Sequence, residues 1–290
     1  MQRFGFVNVN VKYRPGSAFL FFFFVIGLID GCTLVGENPK ITEAQLLGGI
    51  RVPAHILNRG QEIYLGSCAS CHGVLGDGRG PVGLHQKPAP RDLRQGSIKF
   101  ASVPVGALPT DEDLKRIVRK GLRGTAMLVW PVSNTDVDAV IQYIKLFSQR
   151  WQQEIAGQPI VIGTDPFLQN SHEAIALGKR LYHTKAQCSS CHPTYVFSDT
   201  KVQARDGWVL RPNPQEALFT PSDYGAPIRA TRFGKDVLRA GGELEDIYRA
   251  IAAGIGGTAM PSWEAGLSAK EIWALAYYVQ DLNLRENQRP

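Results

Sequence analysis

Two short cysteine motifs hold the residues of this chain that could do chemistry. Four of its five cysteines occur in the sequences Cys-Ala-Ser-Cys-His, from Cys68, and Cys-Ser-Ser-Cys-His, from Cys188. The second motif follows the first by 120 positions and repeats both the spacing of the thiols and the histidine after them. Thiols at this spacing are compatible with disulfides, with one four-thiolate zinc site or with thioredoxin-like redox pairs. None of these three kinds of site requires the histidine.

The histidine after each pair of cysteines indicates covalent attachment of haem. In the pattern Cys-x-x-Cys-His, the two thiols bond to the haem vinyl groups and the imidazole that follows binds the iron. The sequence therefore predicts two covalently attached c-type haems. The attachment residues are Cys68, Cys71 and His72 in the first motif and Cys188, Cys191 and His192 in the second.

Each iron needs a sixth ligand unless it stays open for chemistry, and methionine is the candidate that the sequence offers. Beyond Met1 the chain has two methionines, Met127 and Met260, which end the related segments KGLRGTAM and AGIGGTAM. These segments lie 133 positions apart, and the register of the repeat extends upstream to Glu112 and Glu245. A methionine opposite a histidine raises the reduction potential of a haem. We therefore expect Met127 and Met260 to be the sixth ligands.

With these residues in place, the chain resembles two class I cytochromes c in tandem. The resemblance covers roughly residues 55–150 and 173–284, where a glycine and a tyrosine precede each haem motif and an aromatic segment follows each methionine. It implies an all-α fold of two class I cytochrome c domains, whose first and last helices cross closely. It also implies that the loop containing Pro88 and Pro90 presents a backbone carbonyl to the first haem histidine. The corresponding carbonyl of the second domain is expected near Pro227.

Helical periodicity places the elements around these sites. Apolar residues recur at helical spacing in the segments 110–122, 133–147 and 268–282. Thr110 is a candidate N-cap of the first segment, and Ser268 begins a capping-box pattern in the third. No sustained alternation of polar and apolar residues indicates a sheet.

The N-terminal segment is expected to be an export signal. Twelve apolar residues, 18–29, follow Lys12 and Arg14, whereas a membrane-spanning helix needs about 20. Residues 29–32, Ile-Asp-Gly-Cys, resemble the lipobox of bacterial lipoproteins, which implies lipidation at Cys32. The alternative is a free thiol in an uncleaved anchor. In both cases we expect the chain to be exported and tethered, on the periplasmic side or the outer face of the membrane.

These assignments divide the chain into a signal, a tether, a first cytochrome domain, a linker and a second cytochrome domain. The segments are, in that order, 1–31, 32–54, 55–152, 153–172 and 173–290. The net charge is +6, of which +2 lies in residues 1–31. This charge is too weak and too mixed with acidic residues to indicate nucleic-acid binding.

The expected function is transfer of single electrons, because an iron held by histidine and methionine has no position for a substrate. The sequence predicts a membrane-anchored dihaem carrier between respiratory or dehydrogenase complexes, either free or as a subunit of a larger oxidoreductase. The alternative is a dihaem cytochrome c peroxidase, which needs one open iron; the repeated methionine segments disfavour it. The remaining histidines are expected at the surface or in loops, and they are His55, His85, His172 and His183.

A basic segment just before Met127 is a candidate docking site for an acidic redox partner. Only one of its five basic positions is basic at the same offset in the second repeat. The alternative is an ordinary solvated helix face. The five residues fall within nine positions: Lys115, Arg116, Arg119, Lys120 and Arg123.

Overall fold

The computed structural model of the protein describes residues 39–195 and 216–287. The expected signal and Cys32 lie outside the described residues, so the lipoprotein interpretation stays a prediction. In the part of the chain that the structure describes, no helix is both long enough and apolar enough to span a membrane.

The first half of the chain is built from helices behind a short hairpin. The hairpin pairs β1 (Gln45–Leu47) with β2 (Ile50–Val52) in antiparallel orientation. The helices that follow are α1 (Ala54–Ser67), α2 (Ala69–His72), α3 (Asp111–Lys120), α4 (Asn134–Lys145) and α5 (Arg150–Gln153). Two turns of 3-10 helix, Gly83–His85 and Leu93–Gln95, lie in the long connection between α2 and α3.

The second half repeats this plan. Its helices are α6 (Ser171–His183), α7 (Leu244–Ala253) and α8 (Ala269–Asn287). A 3-10 turn, Cys188–Ser190, and a hairpin of β3 (Phe219–Thr220) and β4 (Ile228–Arg229) lie between α6 and α7. Helices α6, α7 and α8 correspond to α1, α3 and α4. The described residues thus form two copies of a mainly helical unit, which confirms the all-α prediction.

Local sequence signals decide where two of these helices begin. The Thr110 hydroxyl accepts a hydrogen bond from the Asp113 amide at 3.1 Å, and the Asp113 carboxylate accepts one from the Thr110 amide at 3.1 Å. Ser268 and Glu271 make the same reciprocal pair at the start of α8, at 2.9 and 3.3 Å. These bonds satisfy amides that a helix leaves unpaired in its first turn. The predicted N-caps of α3 and α8 are confirmed.

In each half, the helix before the cysteine motif crosses the helix after the methionine loop at a glycine. Gly60 of α1 lies against α4, and Gly178 of α6 lies against α8. A Cβ on Gly60 would lie 2.7 Å from the Tyr143 Cβ, and a Cβ on Gly178 would lie 2.8 Å from the Tyr278 Cβ. Both distances are shorter than an ordinary carbon–carbon contact of about 3.5–4.0 Å. Only glycine permits this approach, which confirms the close crossing that the resemblance implies.

The hairpin that precedes α1 belongs to the first domain, although it lies within the expected tether 32–54. Its Leu47 and Val52 are buried in one cluster with Leu57, Leu108 and Trp151. Burial of apolar side chains favours this packing over a solvated tether. The hairpin therefore packs with the first half, and the expected division of the chain at residue 55 stays a prediction.

The expected linker, 153–172, contacts both halves. The Ile160 amide donates to the Ser102 carbonyl at 2.7 Å in the first half. The side chains of Ile160 and Phe167 are buried in the core of the second half. The segment therefore fastens the halves together, and the described residues from Ile41 onward form one compact unit.

Replacement of Gly60 or Gly178 by alanine should lower the free energy of unfolding by about 1–3 kcal/mol, because the added methyl group forces two helices apart. Gly66→Ala is the matched control, since Gly66 also lies in α1 and a Cβ there meets no atom within 4 Å. The control should be neutral or stabilise the protein by up to about 1 kcal/mol. Denaturant titration measures all three variants. Equal effects at Gly60 and Gly66 would contradict the close crossing.

Candidate functional site

Both Cys-x-x-Cys-His motifs fold as a single turn after the first helix of their half. In the first motif, the amides of Cys71 and His72 donate to the Cys68 carbonyl at 3.1 and 2.9 Å. The second motif makes the same two bonds to the Cys188 carbonyl, at 3.2 and 2.9 Å. The two motifs therefore share their backbone hydrogen bonds as well as their sequence.

The first thiol of each motif lies in apolar surroundings. Burial raises the pKa of Cys68 to about 11 and the pKa of Cys188 to about 12. Within the described residues no two cysteines form a disulfide, and no three histidine, cysteine or carboxylate side chains group as a metal site. The geometry therefore gives no support to the disulfide and four-thiolate zinc alternatives.

A backbone carbonyl orients each motif histidine. The Nδ1 atom of His72 lies 3.1 Å from the Arg91 carbonyl oxygen, and the Nδ1 atom of His192 lies 2.8 Å from the Thr231 carbonyl oxygen. Because a carbonyl can only accept, each Nδ1 carries the hydrogen, and the lone pair of the neutral ring is on Nε2. Burial lowers the pKa of His72, which favours the neutral ring. In this tautomer, Nε2 is the atom able to bind a metal.

The two carbonyls agree with the sequence expectations to different degrees. Arg91 directly follows Pro90, so the first carbonyl comes from the expected loop. The second was expected near Pro227, but it belongs to Thr231, four residues further along the chain. The physical reason is the β3–β4 hairpin: Pro227 precedes β4, and the chain reaches His192 only after that strand.

A buried tyrosine hydroxyl holds the end of each motif, a role that sequence reasoning missed. Tyr64 donates to the Gly73 carbonyl at 2.7 Å, and Tyr182 donates to the Pro193 carbonyl at 2.7 Å. Gly73 and Pro193 directly follow the motif histidines. The tyrosines are 0% and 1% exposed. The recurrence of a tyrosine before each motif was visible in the sequence, but it gave no sign of the partner of its hydroxyl.

The two methionine loops have the same geometry. In the first, the Thr125 hydroxyl donates to the Leu122 carbonyl at 2.8 Å and accepts from the Met127 amide at 3.1 Å. Thr258 makes the same two bonds in the second loop, at 2.8 Å and, from Met260, at 3.2 Å. The repeated Gly-Thr-Ala-Met sequence therefore encodes a shared turn. Ligation by the two sulfur atoms stays a prediction.

One of the remaining histidines differs from expectation. Exposed positions are confirmed for His55, His85 and His172. His183 is 0% exposed at the end of α6, with its ring nitrogens 2.7 Å from the Lys179 carbonyl and 2.8 Å from the Thr194 carbonyl. Burial lowers its pKa. The expected surface position of His183 is wrong, because the chain after the second motif folds back over the end of α6.

Carboxylates already engage part of the basic segment. The Lys115 Nζ atom lies 2.9 Å from Glu112 and 2.9 Å from Asp138, and these hydrogen bonds raise the pKa of Lys115. The Arg116 guanidinium lies 2.7 Å from the buried Asp113. These two basic side chains therefore contribute little net charge to the surface.

The rest of the basic segment is divided between structural and exposed side chains. Arg119 donates to the Val132 carbonyl at 3.2 Å and to the Asn134 side chain. Lys120 and Arg123 are exposed, and the ion pairs that the described residues of this segment make involve Lys115 and Arg116 instead. The free positive charge is thus concentrated at the end of α3 and in the loop that follows it.

The donor set of each half suits a covalently attached haem. Two thiols, an imidazole with its lone pair on Nε2 and a thioether are the groups that such a haem uses. The residues that would hold the two haems are Cys68, Cys71, His72 and Met127 in the first half and Cys188, Cys191, His192 and Met260 in the second.

The matches to known proteins agree with this geometry. The chain matches a family model described as cytochrome C oxidase, cbb3-type, subunit III, over residues 56–144 and 173–279. Among solved structures, a chain of the reducing HAO-like protein complex of Kuenenia stuttgartiensis is 29% identical, with a TM-score of 0.65. That match covers 77% of this chain and 95% of the other. No curated protein matches.

Proposed function

The chain belongs to the family described as cytochrome c oxidase, cbb3-type, subunit III, and on that premise we propose that it is a membrane-anchored dihaem c-type cytochrome. Its role would be to carry single electrons between respiratory or dehydrogenase complexes. When bound, haem c supplies an iron that gains and loses one electron. The family supports haem attachment and electron transfer; the number of haems, the anchor and the partners are our proposal.

The repetition of the site carries the proposal of two haems. Each half has its own cysteine motif, its own carbonyl bonded to the motif histidine and its own threonine-closed methionine loop. The family model also matches both halves. A half that had lost its cofactor would have no need to keep all three features.

The proposed location rests on the sequence. The apolar segment 18–29 and Cys32 support export and a lipid anchor, on the periplasmic side or the outer face of the membrane. The Kuenenia stuttgartiensis neighbour is part of a protein complex. We therefore favour a subunit of a larger oxidoreductase over a freely diffusing carrier.

Replacement of Cys188 and Cys191 by alanine should leave one covalent haem per protein where the wild type has two, because only thioether-linked haem survives denaturation. The haem-to-protein ratio after denaturing electrophoresis measures this number. Cys32→Ala is the matched control: it removes the remaining cysteine and should retain both haems. A single haem in the wild type, or two in the double variant, would contradict the proposal.

We propose that an acidic redox partner docks beside the first methionine loop. The exposed Lys120 and Arg123 precede Met127, and Leu128 and Val129 follow it with exposed fractions of 67% and 62%. Apolar residues bordered by basic ones suit a partner with an apolar centre and an acidic rim. Charge in such a pair raises the association rate more than the final affinity.

Replacement of Lys120 and Arg123 by glutamine should slow electron exchange with an acidic partner about fivefold at low salt, because steering is lost. The effect should shrink as salt rises, since the Debye length falls to about 8 Å at 0.15 M. Stopped-flow kinetics across a salt series measures the rate of electron exchange and its dependence on ionic strength. Lys115→Gln is the control, because carboxylates already neutralise Lys115. An equal loss in the control, or a loss independent of salt, would contradict docking by these two charges.

A further inference from the structure

The backbone of the first half reaches the methionine loop of the second half. The Gly256 amide donates to the Lys99 carbonyl at 3.0 Å. Gly256 lies four residues before Met260, and the Ile255 amide closes the same loop by donating to the Met260 carbonyl at 3.2 Å. The conformation of the second loop therefore depends on a contact with the other half.

Arg91 and Tyr224 extend this contact to the first motif histidine. The Arg91 carbonyl accepts the hydrogen bond from His72, and the guanidinium carbon of Arg91 lies 3.6 Å from the centroid of the Tyr224 ring. The Tyr224 hydroxyl donates to the Gly256 carbonyl. One arginine and one tyrosine thus join the loop that holds His72 to the loop that contains Met260.

Two cations hold the Tyr224 ring in place. The Lys99 Nζ atom lies 4.7 Å from the ring centroid, in addition to the Arg91 guanidinium. Attraction between a cation and an aromatic ring favours fixed ring positions. The orientation of the ring keeps the tyrosine hydroxyl at the Gly256 carbonyl.

The internal repeat departs from symmetry at this contact. At the offset of 133, Gly256 corresponds to Arg123 in the first methionine loop. A Cβ on Gly256 would collide with the Ile98 carbonyl of the first half. The second loop therefore lacks a side chain where the first half approaches, whereas the first loop keeps a long one.

From these contacts we propose that Arg91 and Tyr224 are positioning residues for Met260, and that docking of the two halves holds the second methionine loop in its ligating conformation. This inference rests on the proposed role of Met260 as a ligand. It makes the two sites unequal: Arg91 and Tyr224 position Met260 and not Met127.

The test is displacement of methionine by imidazole in the oxidised holoprotein, followed by loss of the weak far-red sulfur-to-iron band. The titration is done in a Met127→His variant, so that the far-red band reports the displacement of Met260 alone. In that background, Tyr224→Phe should lower the half-displacing imidazole concentration about two- to tenfold, the range of one hydrogen bond. Arg91→Gln keeps the backbone carbonyl that accepts from His72, and it should also lower the half-displacing imidazole concentration, which is the midpoint of the titration.

Two controls separate positioning from general destabilisation. Tyr277→Phe also removes a hydroxyl in the second half, one that donates to Asp165 at 2.6 Å, and it should leave the midpoint unchanged. In a Met260→His background, Tyr224→Phe should leave the displacement of Met127 unchanged.

The outcomes distinguish this inference from the proposed function. An unchanged midpoint for Met260 in Tyr224→Phe, or equal shifts for both methionines, would overturn the inference alone. A wild-type protein without the far-red band would overturn the assignment of the methionine ligands, and the positioning role with it.

Discussion

The geometry of both sites depends on one hydrogen bond, from the Nδ1 atom of a motif histidine to a carbonyl in a distant loop. This bond fixes the tautomer and the direction of the ring, and it forces the chain after each motif to fold back on it. In the first half, the Gly78 amide donates to the His72 carbonyl at 2.8 Å, which brings the loop into place. The hydrogen bond from the Tyr64 hydroxyl to the Gly73 carbonyl holds the chain directly after His72. Each motif is therefore held by its own helix, by a buried hydroxyl and by a returning loop.

The two sites are repeated in sequence but packed against each other in space. The second methionine loop contacts the first half at Lys99. The first methionine loop approaches the second half, where a Cβ on Gly124 would lie 3.5 Å from Val237. Val237 follows Thr231, whose carbonyl orients the second motif histidine. Each methionine loop thus meets the other half, so the two sites are parts of one structure and not independent units on a flexible linker.

The features that the sequence predicted are those set by local spacing. The Cys-x-x-Cys-His motif, the N-caps of α3 and α8 and the glycine at each helix crossing all depend on residues close in the chain or on a side chain that must be absent. The features that it did not predict depend on partners far away. The burial of His183, the Thr231 carbonyl and the packing of the hairpin on Trp151 all arise from contacts that no local pattern reveals.

The same distinction applies to the basic segment. Its five charges are a local pattern, and the sequence located them correctly. Asp138 lies on α4, and it becomes a partner of Lys115 only when α3 and α4 pack. Folding therefore neutralises Lys115 and Arg116 and leaves Lys120 and Arg123 as exposed charges at the end of the segment, a change that composition alone could not indicate.

The proposed electron transfer requires that each iron would be bound by a motif histidine and the methionine of the same half. Electron paramagnetic resonance of the oxidised wild-type holoprotein, together with its far-red absorption, measures this most directly. Histidine and methionine ligation at both sites predicts two low-spin ferric signals, a far-red band with the intensity of two methionine-ligated haems, and no high-spin component. A high-spin signal at rest, or a band with the intensity of a single haem, would contradict it.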